Sequence, residues 1–214
     1  MVDLSVVPKT MIMTLIKYLV PFVVFVFLVN HFLPKLKGYI GERRVTKKLT
    51  TLPPDQYFVF DDIMIPSQNG TSQIDHVVVS PYGVFAIETK NYDGWIYGNE
   101  KDKTWTQVRN KRTKHRFLNP LRQNYGHVKA LEDVLSVKGI HSIVAFANGT
   151  LKTELPENVM RLEDVNTYIQ SFEKKVFDSK KVDQLMTTLT ESNVSDKQAR
   201  KNHVKRVKTV KKTG

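Results

Sequence analysis

The sequence predicts an α/β fold: a central mixed sheet flanked by helices, preceded by one transmembrane helix. Three observations carry this. Met11 to Val29 reads MIMTLIKYLVPFVVFVFLV, with Lys17 as its one charge, and a spanning helix needs ~20 mainly apolar residues. Residues 73–79 and 84–90 are two strand-like runs joined by Ser80-Pro81-Tyr82-Gly83, apolar on both faces. Such a pair belongs inside a sheet. Segments before and after it carry apolar residues at helical spacing.

The first element is read as an anchor, residues 1–34, crossing the membrane through residues 11–33. Pro21 falls inside it, which a membrane helix tolerates, and Lys17 can snorkel to the interface. A cleaved signal peptide is the alternative, but Asn30-His31-Phe32-Leu33-Pro34 has no small-residue cleavage pattern. Lys35, Lys37, Arg43, Arg44, Lys47 and Lys48 follow the run, whereas Lys9 precedes it, offset by Asp3. The positive-inside rule then places the C-terminal bulk in the cytoplasm.

Residues 36–52 form a helix with Gly38, Glu42, Val45, Leu49 and Leu52 on one stripe, stopped by Pro53-Pro54. Tyr57–Ile65 is a strand ended by Pro66. The hairpin follows, and then Gly94–Tyr97 and Thr104–Val108 as a smaller one. Asn119-Pro120 starts a helix as N-cap and first-turn proline, reaching Val137 and ending near Gly139. His141–Ala147 is a short strand, and residues 163–175 and 178–191 are helices. The expected organisation is an anchor (1–34), a domain (35–150), a helical extension (151–195) and a basic tail (196–214) too poor in apolar residues to pack alone.

Composition narrows the chemistry. There is no cysteine, so disulfides and thiolate metal sites are excluded. The net charge of +12 points to a polyanion, either nucleic acid or an anionic membrane surface, with a merely solubilising surface as the plainer reading.

A register argument locates the candidate site. If residues 80–83 form the loop, Val79 pairs with Val84, Asp75 lies opposite Glu88, and Gln73 opposite Lys90. Opposed and alternate residues share a face, so Asp75, Glu88 and Lys90 converge at one end of it. Val77, Val79, Val84 and Ala86 complete that face; Ile74, Val78, Phe85 and Ile87 make the other. Two carboxylates at the edge of a buried face repel each other and are desolvated. A hard divalent cation relieves that conflict, and a neighbouring lysine can orient water or stabilise charge on a phosphate. The plainer alternative is a structural salt-bridge cluster at a strand end, and a one-residue slip would turn Asp75 away.

These residues also carry a resemblance. Gly41-Glu42, Gln73-Ile74-Asp75-His76, Gly83 through Glu88-Thr89-Lys90-Asn91-Tyr92 to Gly94, and Asn119-Pro120-Leu121 with Gln123-Asn124 occur in order over residues 38–137. The pattern resembles the NERD (nuclease-related) domain of the restriction-endonuclease-like PD-(D/E)xK superfamily. The resemblance implies an αβββαβ core. It makes Asp75 and Glu88 metal ligands, Lys90 the catalytic lysine, Glu42 an acidic residue from the first helix, and Gln123 a polar residue facing the site from the later helix. It also implies a bacterial source.

Other residues have two readings. His76, beside Asp75 on the opposite strand face, is a phosphate contact or, more plainly, a packed histidine with one backbone hydrogen bond. His127 lies one helical turn beyond Gln123 and is expected to support the site at most. Lys111, Arg112, Lys114 and Arg116, in a basic region with Trp95, Tyr97 and Trp105, are candidate nucleic-acid contacts; the alternative is a solvated loop with both tryptophans in the core. Phe117 reads as core. The tail can meet anionic lipid or nucleic acid.

The expectation is a membrane-anchored, Mg²⁺- or Mn²⁺-dependent nuclease acting on DNA, with Asp75, Glu88, Glu42 and the Thr89 carbonyl around the metal, and Lys90 and Gln123 beside it. A catalytically inactive nucleic-acid- or partner-binding module on the same fold is the alternative. A weaker third reading is an adaptor that docks proteins through residues 150–214.

Overall fold

The computed structural model describes residues 9–68, 70–110 and 113–194. Lys111, Arg112 and the basic tail from residue 196 lie outside the described residues. The chain divides between Ile40 and Gly41 into two compact units. Helix α1 (Lys9–Leu49) supplies the described part of the first unit, and its turns from Gly41 onward belong to the second. It is one helix through Pro21 and Pro34, where the sequence suggested a separate helix over residues 36–52. The helix is long and apolar enough to cross a membrane, with a mean hydropathy of 2.0 in its most apolar window and none of that window buried.

In the second unit, a five-stranded mixed sheet has the order β1-β2-β3-β7-β9. Its strands are β1 (Phe58–Ser67), β2 (Gly70–Ser80), β3 (Gly83–Lys90), β7 (His141–Phe146) and β9 (Val159–Arg161). β1, β2 and β3 form an antiparallel meander, and β7 and β9 join in parallel. Helix α2 (Pro120–Leu135) connects β3 to β7 across a second sheet. That sheet has the order β6-β5-β4-β8, from β4 (Trp95–Tyr97), β5 (Thr104–Val108), β6 (Lys114–Leu118) and β8 (Thr150–Leu151). With the second sheet set aside, the element order begins α-β-β-β-α-β.

Helices cover both faces of the main sheet. Val77, Val79, Val84 and Ala86 pack with Val128, Leu131 and Leu135 of α2 and with Val182, Leu185 and Leu189 of α4 (Ser179–Ser192). Val78, Phe85, Ile87 and Ile143 pack with Val45 and Leu49 of α1 and with Val165 and Ile169 of α3 (Val165–Gln170). The expected double-sided burial of the hairpin follows from this sandwiching. Ile96, Trp105 and Phe117 join the second sheet to Val144, Phe146 and Val159.

The structure differs from expectation at several places. Pro66 does not end β1, since it pairs with Thr71; a proline needs only a position where no ladder N–H is required. The hairpin turn is shorter, because Ser80 pairs with Gly83. The Ser80 hydroxyl closes it, donating to the Gly83 carbonyl at 3.0 Å and accepting from the Tyr82 N–H at 3.2 Å. Ile74 packs with Val77 and Val79, not with Val78. The alternation shifts between Ile74 and Val77, next to Asp62 of β1, which takes a left-handed φ of 51°. The span 163–175 is not one helix: a 3-10 turn (Leu162–Asp164) leads into α3, which ends at Gln170. α2 stops at Leu135, with Ser136 left-handed at φ 51°.

Candidate active site

The site lies where the β2–β3 ladder opens. Pairing runs from Ser80↔Gly83 to His76↔Ile87. Continued, this register would set Asp75 opposite Glu88, as the sequence suggested. The strands part there instead, and the Thr89 N–H donates to Asp75 Oδ2 at 2.8 Å. On the other side of β2, Asp61 pairs with His76 and Ile63 with Ile74, while the intervening Asp62 is the left-handed residue. Asp75 therefore sits where regular pairing is interrupted toward both neighbours.

Glu88 is 2% exposed. One of its oxygens accepts from Lys90 Nζ. The other lies 3.2 Å from His127 Nε2 without hydrogen-bond alignment, so both atoms remain buried and unsatisfied by that criterion. Lys90 Nζ also donates to Gln123 Oε1 at 3.1 Å, and His127 Nδ1 meets Ser72 Oγ at 2.7 Å. The structure thus brings together Asp75, Glu88, Lys90 and Gln123. It gives His127 a larger part than its sequence position suggested: Gln123 and His127, four apart on α2, face the same strand end.

The electrostatics of the two carboxylates diverge. Burial and the neighbouring Glu88 charge push the Asp75 carboxyl well above the ordinary range, with the Thr89 N–H, the Lys90 charge and the Glu42 charge as lesser influences, the last of them also raising it. Burial works upward on Glu88 too, but the Lys90 ammonium and His127 outweigh it and hold Glu88 at about 2. For Lys90, burial opposes the charge, and Glu88 and Asp75 more than restore it, raising its pKa. The result is a firm Glu88–Lys90 ion pair beside an Asp75 that releases its proton reluctantly.

Glu42 approaches from α1, whose Val45 and Leu49 pack on the face of the sheet away from α2, and it interacts electrostatically with Asp75, Glu88 and Lys90; burial, the first of its influences, raises its pKa. Gly41 makes this approach available: a Cβ there would stand 2.5 Å from Asn91 Cβ. Asn91 in turn accepts from Asn148 Nδ2 at 2.6 Å, and Arg44 donates to Asn148 Oδ1 at 2.7 Å.

Behind Asp75 runs a chain that the sequence reading did not foresee. His76 is buried, with Nδ1 at 2.6 Å from Asp61 Oδ1 and Nε2 at 3.0 Å from Thr89 Oγ1. It is packed, but its partners are side chains, where one backbone bond was expected. Alternation alone put His76 on the far face; Thr89 shares that face, which was the available signal.

Helix α2 is fixed by two asparagines. Asn119 caps it, accepting from the Leu121 N–H at 2.9 Å while its Nδ2 donates to the carbonyls of Asn99, Glu100 and Asp102. Asn124 is fully buried, and its Nδ2 donates to the carbonyls of Ala86 and Ile143 and to Ser142 Oγ.

Two of the basic candidates, Lys111 and Arg112, lie outside the described residues. Lys114 and Arg116 are exposed on β6, a strand where a solvated loop was one reading. The two tryptophans separate. Trp105 is buried, with its indole N–H donating to the Asn99 carbonyl at 2.9 Å, whereas Trp95 is 51% exposed, with Lys152 Nζ 5.3 Å from its ring centroid. Phe117 is core, as expected.

The donor set suits a hard cation in its chemistry: an Asp75 carboxyl pushed up by burial and the neighbouring Glu88 charge, and a buried Glu88 oxygen without an aligned donor. Among the described residues, no group of three His, Asp or Glu side chains stands in ligating arrangement; Glu88 is paired with Lys90 and lies against His127.

Fold and site together define a mixed α/β protein with a carboxylate–lysine cluster at the end of its central sheet. The sequence profile of the nuclease-related domain, NERD, matches residues 37–147. An uncharacterized protein of Bacillus anthracis is 35% identical over 185 residues, covering 83% of this chain and 86% of the relative. The chain belongs to the NERD family. No solved structure matches it.

Proposed function

We propose that the chain is a metal-dependent nuclease hydrolysing phosphodiester bonds, with DNA as substrate, on a restriction-endonuclease-like core. The observation that carries this reading is the placement of Lys90 Nζ between Glu88 and Gln123, beside Asp75, at an interrupted sheet end. Asp75, Glu88, the Thr89 carbonyl and Glu42 would hold Mg²⁺ or Mn²⁺. When bound, the cation polarises a phosphoryl oxygen and makes water more acidic.

The chain's own groups do the rest. The Thr89 N–H holds Asp75, and Asp61 holds Thr89 through His76. Gln123 holds the Lys90 ammonium, a positive charge available to a phosphate oxygen. His127 stands against Glu88 from the other side. Residues 11–33 anchor the protein in a membrane, with the second unit cytoplasmic, and Lys111, Arg112, Lys114 and Arg116 contact the nucleic acid. The tail adds attraction to anionic lipid.

The test uses the detergent-solubilised full chain with single- and double-stranded DNA and RNA in Mg²⁺, Mn²⁺ or EDTA. Cleavage should require the metal and vanish in Asp75→Asn and Glu88→Gln proteins that remain folded. Cleavage that survives both substitutions would place the chemistry elsewhere.

One observation favours a second reading, a catalytically inactive nucleic-acid-binding module. Glu88 is engaged by Lys90 and His127, and the described residues gather no three-ligand group. Intact substrates under every metal condition, with salt-dependent binding retained, would favour this reading.

A further inference from the structure

A groove of about 550 Å³ opens beside the site, between Ser67, Gln68 and Ser72 on one side and helix α2 on the other. Its volume is in the range of small-molecule pockets. Gln123 and His127 line it, and these side chains meet Lys90 and Glu88. The groove therefore begins where the carboxylate cluster ends.

Gly126 lies in its wall, in the middle of α2. A mid-helix glycine costs helix stability relative to alanine. Packing does not demand it here, because a Cβ at Gly126 would meet nothing within 4 Å. The space it leaves is groove space.

Tyr125, on the same wall, is 62% exposed. Lys129, one turn further on, sets its Nζ 5.4 Å from the ring centroid and donates to Glu132 Oε2 at 2.7 Å. An ammonium steadies one face of the ring and leaves the other for a planar partner. The charge around the groove is mixed. Glu132 answers Lys129, and the Asp133 carboxylate accepts from Gln68 at 3.4 Å. This is a poor cradle for a phosphate. Amide, hydroxyl and carboxylate groups around an aromatic ring suit the edges and face of a nucleobase.

We infer that this groove takes an unpaired nucleobase, stacked on Tyr125, next to the phosphodiester presented to Lys90. The inference rests on the nuclease reading and names its substrate class: single-stranded or locally unpaired nucleic acid. In a duplex the base faces are already stacked, so a base must leave the helix to reach Tyr125.

The experiment measures binding of the detergent-solubilised full chain to fluorescent oligonucleotides in EDTA, which keeps them intact. Single-stranded DNA, single-stranded RNA and blunt DNA duplex form separate arms. Single strands should bind more tightly than duplex, and the DNA and RNA arms identify the preferred sugar. Tyr125→Ala should weaken single-strand binding roughly ten- to a hundred-fold, the range of one base–aromatic stack, while Tyr125→Phe retains it. Gly126→Ala should raise the melting temperature yet weaken single-strand binding. The inference is overturned if Tyr125→Ala binds single strands as tightly as the wild type, or if the wild type binds none. Cleavage in Mg²⁺ is scored separately. Tyr125-dependent binding without cleavage upholds the groove and removes the hydrolase reading; cleavage with Tyr125-independent binding does the reverse.

Discussion

The two ends of the β2–β3 hairpin are built from the same strands to opposite purposes. At the turn end, Ser80 pairs with Gly83, the Ser80 hydroxyl satisfies the turn, and the residues behind it are apolar and sealed. At the other end the ladder stops at His76↔Ile87, and the next positions hold Asp75, Glu88 and Lys90. One end maximises burial and pairing. The other gives up regular pairing to hold charge. Local stability and local chemistry are thus separated along a strand of only eight residues.

The largest expected effect tests the sealed part. Phe85 is fully buried and stacks 5.0 Å from the His141 ring centroid. Phe85→Ala should cost about 3–5 kcal/mol, read from the denaturant midpoint. The next test breaks the charged end. Lys90→Met removes the ammonium from the buried Glu88 and leaves His127 as its remaining neighbour, which should cost about 3 kcal/mol. The Glu88→Gln/Lys90→Met pair should recover most of that loss. A double variant as unstable as the single one would mean that packing at Lys90, not charge, governs this end.

The smallest effect has the opposite sign. The folded pKa of Asp75 is raised, so the folded state binds its proton more readily than the unfolded chain. Stability is then lost as pH rises from the unfolded carboxylate value through the raised one. Asp75→Asn keeps an acceptor for the Thr89 N–H and removes this penalty. In metal-free protein at neutral pH it should gain about 1 kcal/mol, with a flatter pH profile across that window. A loss of stability on this substitution would mean that burial and the Glu88 charge do not oppose the Asp75 charge. Glu88 behaves inversely: held at about 2, it contributes stability that persists until strongly acidic pH.

The sequence was most legible where local rules and tertiary context agree. Ser80-Pro81-Tyr82-Gly83 marked a turn, Val79↔Val84 set the register, and Asn119-Pro120 marked the start of α2. From these alone, Asp75, Glu88 and Lys90 were placed together. What stayed hidden depends on neighbours that sequence spacing does not reveal. β6 reads Lys-His-Arg-Phe-Leu, and only Phe117 is buried, so its charges disguise a strand held by pairing to β5. β9 is three residues long and takes its place only beside β7. Ile74 changed company beside the left-handed Asp62 of β1. His127 was undervalued because its partners, Ser72 and Glu88, lie 55 residues back in one case and on another strand in the other.

Asn124 carries a consequence for how the protein comes into being. Its single amide group ties α2 to carbonyls on both β3 and β7, so the anchorage of the helix bearing Gln123 and His127 is complete only once β7 has docked. A chain emerging from the ribosome would have all of its charged site residues outside well before His141–Phe146 follows. Until that strand arrives, Asn124 lacks two of its three partners, Ser142 Oγ and the Ile143 carbonyl. A polypeptide cut short before His141 would hold Asn124 by its Ala86 bond alone.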